Sequence, residues 1–504
     1  LSGVISGILM GFTSILDPLT IGLLIAGVII GLFAGATPGI SGTMIVAILL
    51  PLTFKLDSIP AFVMLTAVYA VAVFSGSITA VLFRTPGAPE AAATTFDGYT
   101  MAKKGFPHKA LGYAMFSSFL GGTLGAIALL LIAPQLARFA LKFGPAETFA
   151  LILMALAMIS SLDVKNQTKA ILMGIFGLFL AMIGMDYMTG VERYTFGVPI
   201  LSAGLHFIPV LLGLFAVSEA LRMIQEDPEV KQKIEKIKTT LPTWEEFKRL
   251  IPTYIRAFPL GLFIGILPGV GATTASLVAY STEVRSSKTP EKFGTGIPQG
   301  IAAPECANNA AAMGALVILL ALGIPGSATT AVMLGGLILH GLRPGPLLFT
   351  LYPKFAYAIM VAALIANILI IIMSPAFIRF FSNVVFRIPR GMLGTLIILF
   401  CVVGSFAMRN NMFDVWAVLL FGLVGYVLER YGYPLAPIVI GLVLGSLAET
   451  EFRRTLITQG GFMGFFSSPI STGLILVSIF VFVYPFIKSA IASRRGLKVG
   501  SGKE

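Results

Sequence analysis

Apolar runs follow one another along the whole chain, separated by short polar gaps, near 3–16, 59–102, 110–133, 145–162, 168–185, 200–222, 297–340, 346–373, 391–408, 414–428, 434–447 and 467–488. Runs of about 18 apolar residues or more predict membrane-spanning helices. Strands of a transmembrane barrel would instead alternate apolar and polar residues over segments of about ten, and this chain does not. The pattern predicts an all-α polytopic membrane protein with about twelve transmembrane helices.

Two further apolar stretches, 20–54 and 251–281, are interrupted near their centres. GLFAGATPGISGT (Gly31–Thr43) and GLFIGILPGVGAT (Gly261–Thr273) share seven of thirteen letters in register. Glycine inside a helix costs up to about 1 kcal/mol and proline about 3 kcal/mol, so each motif predicts a break. About fourteen residues on each side reach about 21 Å, short of a bilayer core of about 30 Å. Two re-entrant hairpins are therefore expected; the alternative is a pair of short tilted crossings. Five crossings separate the hairpins, so they enter from opposite faces and define an inverted repeat. The first half is 1–222, with its hairpin at 20–54 and a broken helix at 59–102. The second is 257–504, with a hairpin core at 257–281 and a broken helix at 297–340. Between them, 223–256 is read as a cytoplasmic linker, in which Thr243 and Glu246 have capping-box spacing for a short interfacial helix.

Composition narrows the picture. Of 504 residues, 57% are hydrophobic and 12% charged, far below the roughly 25% charged of a soluble domain. The net charge of +12 does not point to nucleic acid, because the basic residues flank apolar runs. With 223–256 inside, 25 of the 35 Lys and Arg residues fall on cytoplasmic segments, which places both termini inside. Cys306 and Cys401 both lie in apolar stretches, so no disulfide framework is expected. The chain does not begin with methionine, so a short preceding piece is expected, and the first run reads as a membrane helix, not a cleaved signal.

Downstream of each hairpin a long apolar helix breaks at Pro-Gly: FRTPGAPEAAATTFDGY (Phe83–Tyr99) and LGIPGSATTAV (Leu322–Val332), with 47 residues from Gly39 to Pro86 and 56 from Gly269 to Pro325. A helix resuming after such a break turns unpaired N–H groups and its positive dipole end toward an anion. The helix that ends there exposes carbonyls suited to Na⁺. Close packing of small residues is the bland alternative. Hydroxyls at Ser41, Thr43, Thr273, Thr274, Ser327, Thr329 and Thr330 can supplement the site. Intramembrane polar residues add Arg84, Glu90, Glu305, Asn308 and Asn309. Arg84 can meet a substrate carboxylate or pair with Glu90. The two asparagines can serve a cation or a carboxylate, or hydrogen-bond between helices; adjacent positions do not share a helix face. No Walker A, strand-linked GxGxxG, HExxH or intramembrane GxGD pattern occurs, so no enzyme is expected, and no cofactor beyond a coupling ion.

The paired PG hairpins, TPGAPEAAATTFDGYTMAKKG, APECANNAA, LGIPGSATTAVMLGG and HGLRPGP closely resemble the large membrane subunit of the tripartite tricarboxylate transporters, the TctA-type family, over nearly the whole chain. The resemblance implies a bacterial inner-membrane secondary carrier for tricarboxylates or related carboxylates, driven by Na⁺ or H⁺. It also implies a small membrane partner subunit and a periplasmic solute-binding protein. Arg84 departs from the family pattern, in which a small polar residue such as Asn is more usual, and this bears on which carboxylate is taken. Inverted hairpins beside broken helices also resemble elevator-type ion transporters. On this reading Pro38–Thr43 joins Thr85–Pro89 in one half-site, and Pro268–Thr274 joins Pro325–Thr330 in the other. Substrate is expected at Ser41, Thr43, Arg84, Thr85, Gly87, Ala88, Thr273, Asn308, Asn309, Gly326, Ser327 and Thr329. A cation is expected on the carbonyls of Pro38, Gly39, Gly42, Pro86, Pro268, Gly269, Gly271 and Pro325. A passive carboxylate channel or a docking scaffold for the binding protein is the competing function.

Overall fold

Caps and breaks in the sequence set where the helices start and stop. The computed structural model describes residues 2–37, 39–158, 167–186, 188–225, 239–384 and 390–494. Pro38 and part of the expected linker thus lie outside the described residues. After α1 (Ser2–Ile15), Asp17 caps α2 (Pro18–Ala36) by accepting from the Thr20 amide at 3.1 Å. Ser41 caps α3 (Gly42–Thr53) in the same way through Met44. Then come α4 (Ser58–Phe83), a 3₁₀ turn at Pro89–Ala91, α5 (Thr94–Lys103) and α6 (Pro107–Ala140). α7 (Pro145–Met158) and α8 (Gln167–Ala181) lead to a two-residue antiparallel pair, β1 (Gly184–Met185) with β2 (Glu192–Arg193). α9 (Phe207–Leu211) passes through a π-helical stretch, Leu212–Val217, into α10 (Ser218–Gln225).

The second half opens with the predicted capping box: Thr243 Oγ1 accepts from Glu246 N and the Glu246 carboxylate from Thr243 N. The helix it starts is not a short interfacial one. As α11 (Trp244–Ile266) it runs on through Pro252 and Pro259 to the second tip. Then follow α12 (Gly271–Ser286), α13 (Gln299–Leu322), α14 (Ala328–Leu339), α15 (Pro346–Leu351), α16 (Pro353–Val384), α17 (Arg390–Arg409), α18 (Met412–Arg430), α19 (Ala436–Thr458) and α20 (Pro469–Arg494). The arms of the two interrupted stretches are unequal: 19 and 12 residues in the first, 23 and 16 in the second. The early caps lengthen each first arm. Among the described residues nine helices are long and apolar enough to cross a membrane. This is a multi-pass helical membrane protein.

By contact the chain divides into two units, one of 1–141 with 206–431 and one of 142–205 with 432–504. In the first, α4 and α13 are the innermost helices, buried over nearly their full length. Each lies against the first arm before it through the same contacts. A Cβ at Gly31 would fall 2.9 Å from the Val68 carbonyl oxygen and one at Gly35 2.3 Å from that of Ala72. One at Gly261 would fall 2.3 Å from the Ala307 oxygen and one at Gly265 2.1 Å from that of Ala311. The register continues to the breaks, where α4 and α13 end in left-handed residues, Arg84 and Gly323. There a Cβ at Gly87 would meet the Gly35 oxygen at 1.9 Å, and one at Gly326 the Gly265 oxygen at 2.8 Å. Every pairing of α4 with α13 holds one constant offset. In the second unit α7 packs on α20 and α8 on α19.

Candidate functional site

The second arms cross over. α3, from the first half, packs against α14 of the second, and α12 packs against the 3₁₀ turn of the first break. Thr43 and Thr329 stand at the second position of α3 and of α14, both buried, with their hydroxyls 2.7 Å apart. Ser327 caps α14 by accepting from Thr330 N at 3.2 Å, and its own amide donates to Thr330 Oγ1 at 2.8 Å. From α4 the Tyr69 hydroxyl reaches Ser327 Oγ at 3.3 Å. α12 begins at Gly271, φ +72°, where a Cβ would lie 3.8 Å from the Ser327 Cβ.

Three helix N-termini thus gather around Ser327. The caps take the third amide of α3 and α14, Met44 and Thr330, so the first two of each, Gly42 with Thr43 and Ala328 with Thr329, have no intrahelical acceptor. Hydroxyls of Thr43, Tyr69, Ser327, Thr329 and Thr330 surround them, and none of these five residues brings a negative charge. Such a place favours an anion.

The other candidates lie elsewhere. Thr273 and Thr274, in the first turn of α12, are half-buried, as is Ser41. Pro268, Gly269 and Pro325 are buried, and Gly39 (φ +91°) faces Met223 and Glu219 of α10. At the first break Gly87 and Ala88 are buried and Pro86 half-buried, whereas Arg84 and Thr85 are exposed. The Thr85 hydroxyl turns back to the Phe83 carbonyl at 3.4 Å. Arg84 forms no ion pair with Glu90 or with any other carboxylate among the described residues. The expected half-sites therefore divide: each first arm meets the break of its own half through glycine contacts, and each second arm meets the other half's break.

Asn308 and Asn309 lie on α13. Asn308 Nδ2 donates to the Glu90 carbonyl at 3.1 Å, and Asn309 Nδ2 to Asn308 Oδ1 at 2.8 Å and to the Glu305 carbonyl at 3.1 Å. The adjacent amides bond to each other despite pointing about 100° apart, because Asn309 folds back along its own helix. Its Oδ1 is buried with no hydrogen-bond partner, an acceptor left for a ligand or water. Among the described residues no cluster of three His, Cys, Asp or Glu could hold a metal ion.

Sequence reasoning missed Tyr69. The register of α4 on α13 makes it the counterpart of Asn308, and that correspondence is the signal that finds it. Also missed was Asp97, fully buried on α5, whose Oδ1 accepts from the amides of Gly296 at 2.7 Å and Ile297 at 3.0 Å. Its Oδ2 accepts from Gly294 N at 3.0 Å and the Tyr280 hydroxyl at 2.9 Å. Asp97 thereby ties the first break to the loop that starts α13.

Residues 21–440 match the family described as tripartite tricarboxylate transporter TctA. The chain belongs to the TctA family. It is 37% identical over 492 residues to an uncharacterized 52.8 kDa protein of the TAR-I ttuC' 3' region of Agrobacterium vitis, covering 97% of this chain and 98% of that one. It is 39% identical over 233 residues to an uncharacterized protein of the TAR-II ttuC' 3' region of the same organism, covering 45% of this chain and 96% of the relative. No solved structure matches. TctA membership agrees with the multi-pass helical architecture, and the breaks and hydroxyl cluster lie within the matched residues.

Proposed function

We propose that this chain is the large membrane subunit of a binding-protein-dependent secondary transporter that imports tricarboxylates or related carboxylates. It works in the bacterial inner membrane with both termini cytoplasmic, beside a small membrane subunit and a periplasmic solute-binding protein. Na⁺ or H⁺ supplies the driving force. Its halves form an inverted repeat, its interrupted stretches serve as re-entrant hairpins, and substrate crosses by elevator-type movement.

One observation carries this reading: the meeting of α3 and α14 N-terminus to N-terminus, through Thr43 and Thr329, among hydroxyl side chains. A carboxylate bound there accepts from the free amides and hydroxyls. The carbonyls of Gly39, Gly42, Pro86, Pro268, Gly269, Gly271 and Pro325 are the candidates for a co-transported cation.

Hydrogen bonds to a charged group contribute about 1.5–3 kcal/mol. Thr43→Val or Thr329→Val, close in volume, is expected to raise the KM for carboxylate uptake by about tenfold to a hundredfold. The assay is labelled-carboxylate uptake into proteoliposomes holding the assembled complex, with protein level and thermal stability as controls. Wild-type KM in both variants would remove the cluster from the substrate path. Flux through the wild type that needs neither an ion gradient nor the binding protein would favour a passive channel.

A further inference from the structure

Glu305 lies on α13, one turn before the asparagine pair, and is fully buried. Its Oε1 accepts from the Thr94 hydroxyl of α5 and its Oε2 from the Ser118 hydroxyl of α6, the latter at 2.7 Å. Among the described residues no lysine, arginine or histidine pairs with it. We infer that Glu305 is the proton-carrying carboxyl of the transport cycle. This inference rests on the transport reading above and names its coupling ion.

A bare carboxylate without a counter-charge in such a place costs several kcal/mol, so the resting occupant is a proton. Both partners suit a group that changes charge. A hydroxyl donates to a carboxylate and, after rotating, accepts from a carboxylic acid. The neutral and ionised forms are then both hydrogen-bonded in one geometry. On release the carboxyl O–H bond breaks and the proton passes to water admitted to the site. The electron pair stays on Glu305, held by Thr94 and Ser118, until water on the opposite side returns a proton.

The other titratable groups around it are differently placed. Glu90 presents its carbonyl, not its carboxyl, to Asn308. The Asp97 carboxylate, one turn from Thr94, already accepts four hydrogen bonds. Glu283 of α12 pairs with Arg256 of α11 at 2.8 Å. Near the helix ends lie Lys103 of α5, His108 and Arg138 of α6, the Lys109–Glu246 pair of α6 and α11, Glu245, Lys248 and Arg249 of α11 and Arg285 of α12. Deeper are the phenols Tyr69, Tyr113 and Tyr254 and the Cys306 thiol. The carboxyl is also single in a duplicated core, since its counterpart on α4 is Thr66, a buried hydroxyl without a partner. Asn309 donates to the Glu305 carbonyl and carries a free acceptor, so an oxygen open to a donor or cation shares one turn of α13 with the proton site.

The test uses the complete complex in proteoliposomes and Glu305→Gln, which keeps the hydrogen bonds of the protonated acid. Three readouts separate the possibilities: accumulation driven by a pH gradient, exchange of labelled for unlabelled carboxylate at equal pH, and the protonated-carboxyl infrared band under pH titration. E305Q is expected to lose at least about tenfold of gradient-driven accumulation, keep exchange and lack the band. Wild-type accumulation by E305Q overturns the inference, and so does a wild-type band that neither pH nor carboxylate moves. If E305Q does not assemble, that wild-type titration decides alone. Absence of exchange in the wild type would instead remove the transport reading, and the infrared titration would still report on Glu305.

Discussion

Thr43, Thr329 and Tyr69 act as a set: two threonines end to end at the starts of two helices and a phenol on the cap of one. The threonines were legible in the sequence because their motifs are local. Their pairing was not, because the partners are 286 positions apart. Arg84 supplies a separate prediction. It ends α4 in the left-handed region at φ 59°, where its counterpart Gly323 sits at φ 72°. A non-glycine residue there costs about 1–2 kcal/mol. Arg84→Gly is expected to raise stability by about 1 kcal/mol, read by thermal unfolding in detergent. If the guanidinium meets substrate, the same variant loses uptake; wild-type uptake would show that the charge is dispensable.

At the scale of elements, the breaks were readable because glycine and proline act through the backbone alone. The crossing of the second arms was hidden, since it depends on tertiary packing of stretches with similar composition. The arm lengths were misjudged for a nearer reason: the Asp17 cap and the Thr243–Glu246 box start the first arms early. Gly87→Ala would drive a Cβ to 1.9 Å from the Gly35 carbonyl oxygen, closer than the 2.8 Å that Gly326→Ala would meet at Gly265. Both are expected to destabilise the protein, G87A more than G326A, as measured by the folded fraction after solubilisation; the reverse order would contradict the packing described. Asp97→Ala leaves three amides and a half-buried phenol without their acceptor. These donors are partly open to water, so the loss is expected to cost about 1–3 kcal/mol. A variant unfolding at the wild-type temperature would show that the loop before α13 is held by other contacts.

For the whole molecule, the second unit carries a charged ring outside the apolar spans. Asp186 meets Arg453 at 2.8 Å, Arg453 meets Glu449 at 2.7 Å, and Glu449 meets Arg193 at 2.7 Å. The Met188 amide, with help from Arg453 and Thr189, draws the Asp186 carboxyl down to about 2, below the ordinary value of about 3.9. A depressed carboxyl stabilises the fold above its unfolded value and loses that contribution as acid protonates it. Amide-exchange protection of Met188–Arg193 is therefore expected to stay level down to about pH 4 and to fall between about pH 4 and about pH 2. Asp186→Asn should lose that dependence, and an unchanged acid profile would count against the ring.

The interleaving of the two units has a consequence for synthesis. α7 and α8 leave the ribosome early, yet the helices they pack on, α20 and α19, emerge last. Throughout translation of 206–431 the nascent chain holds two apolar helices whose partners do not yet exist. A chain stopped after Tyr431 contains all of the first unit and leaves these two without the helices they pack on. Quality-control proteases of the membrane are expected to clear such a product faster than the full chain in a pulse–chase, even though every residue of the hydroxyl cluster has already been made.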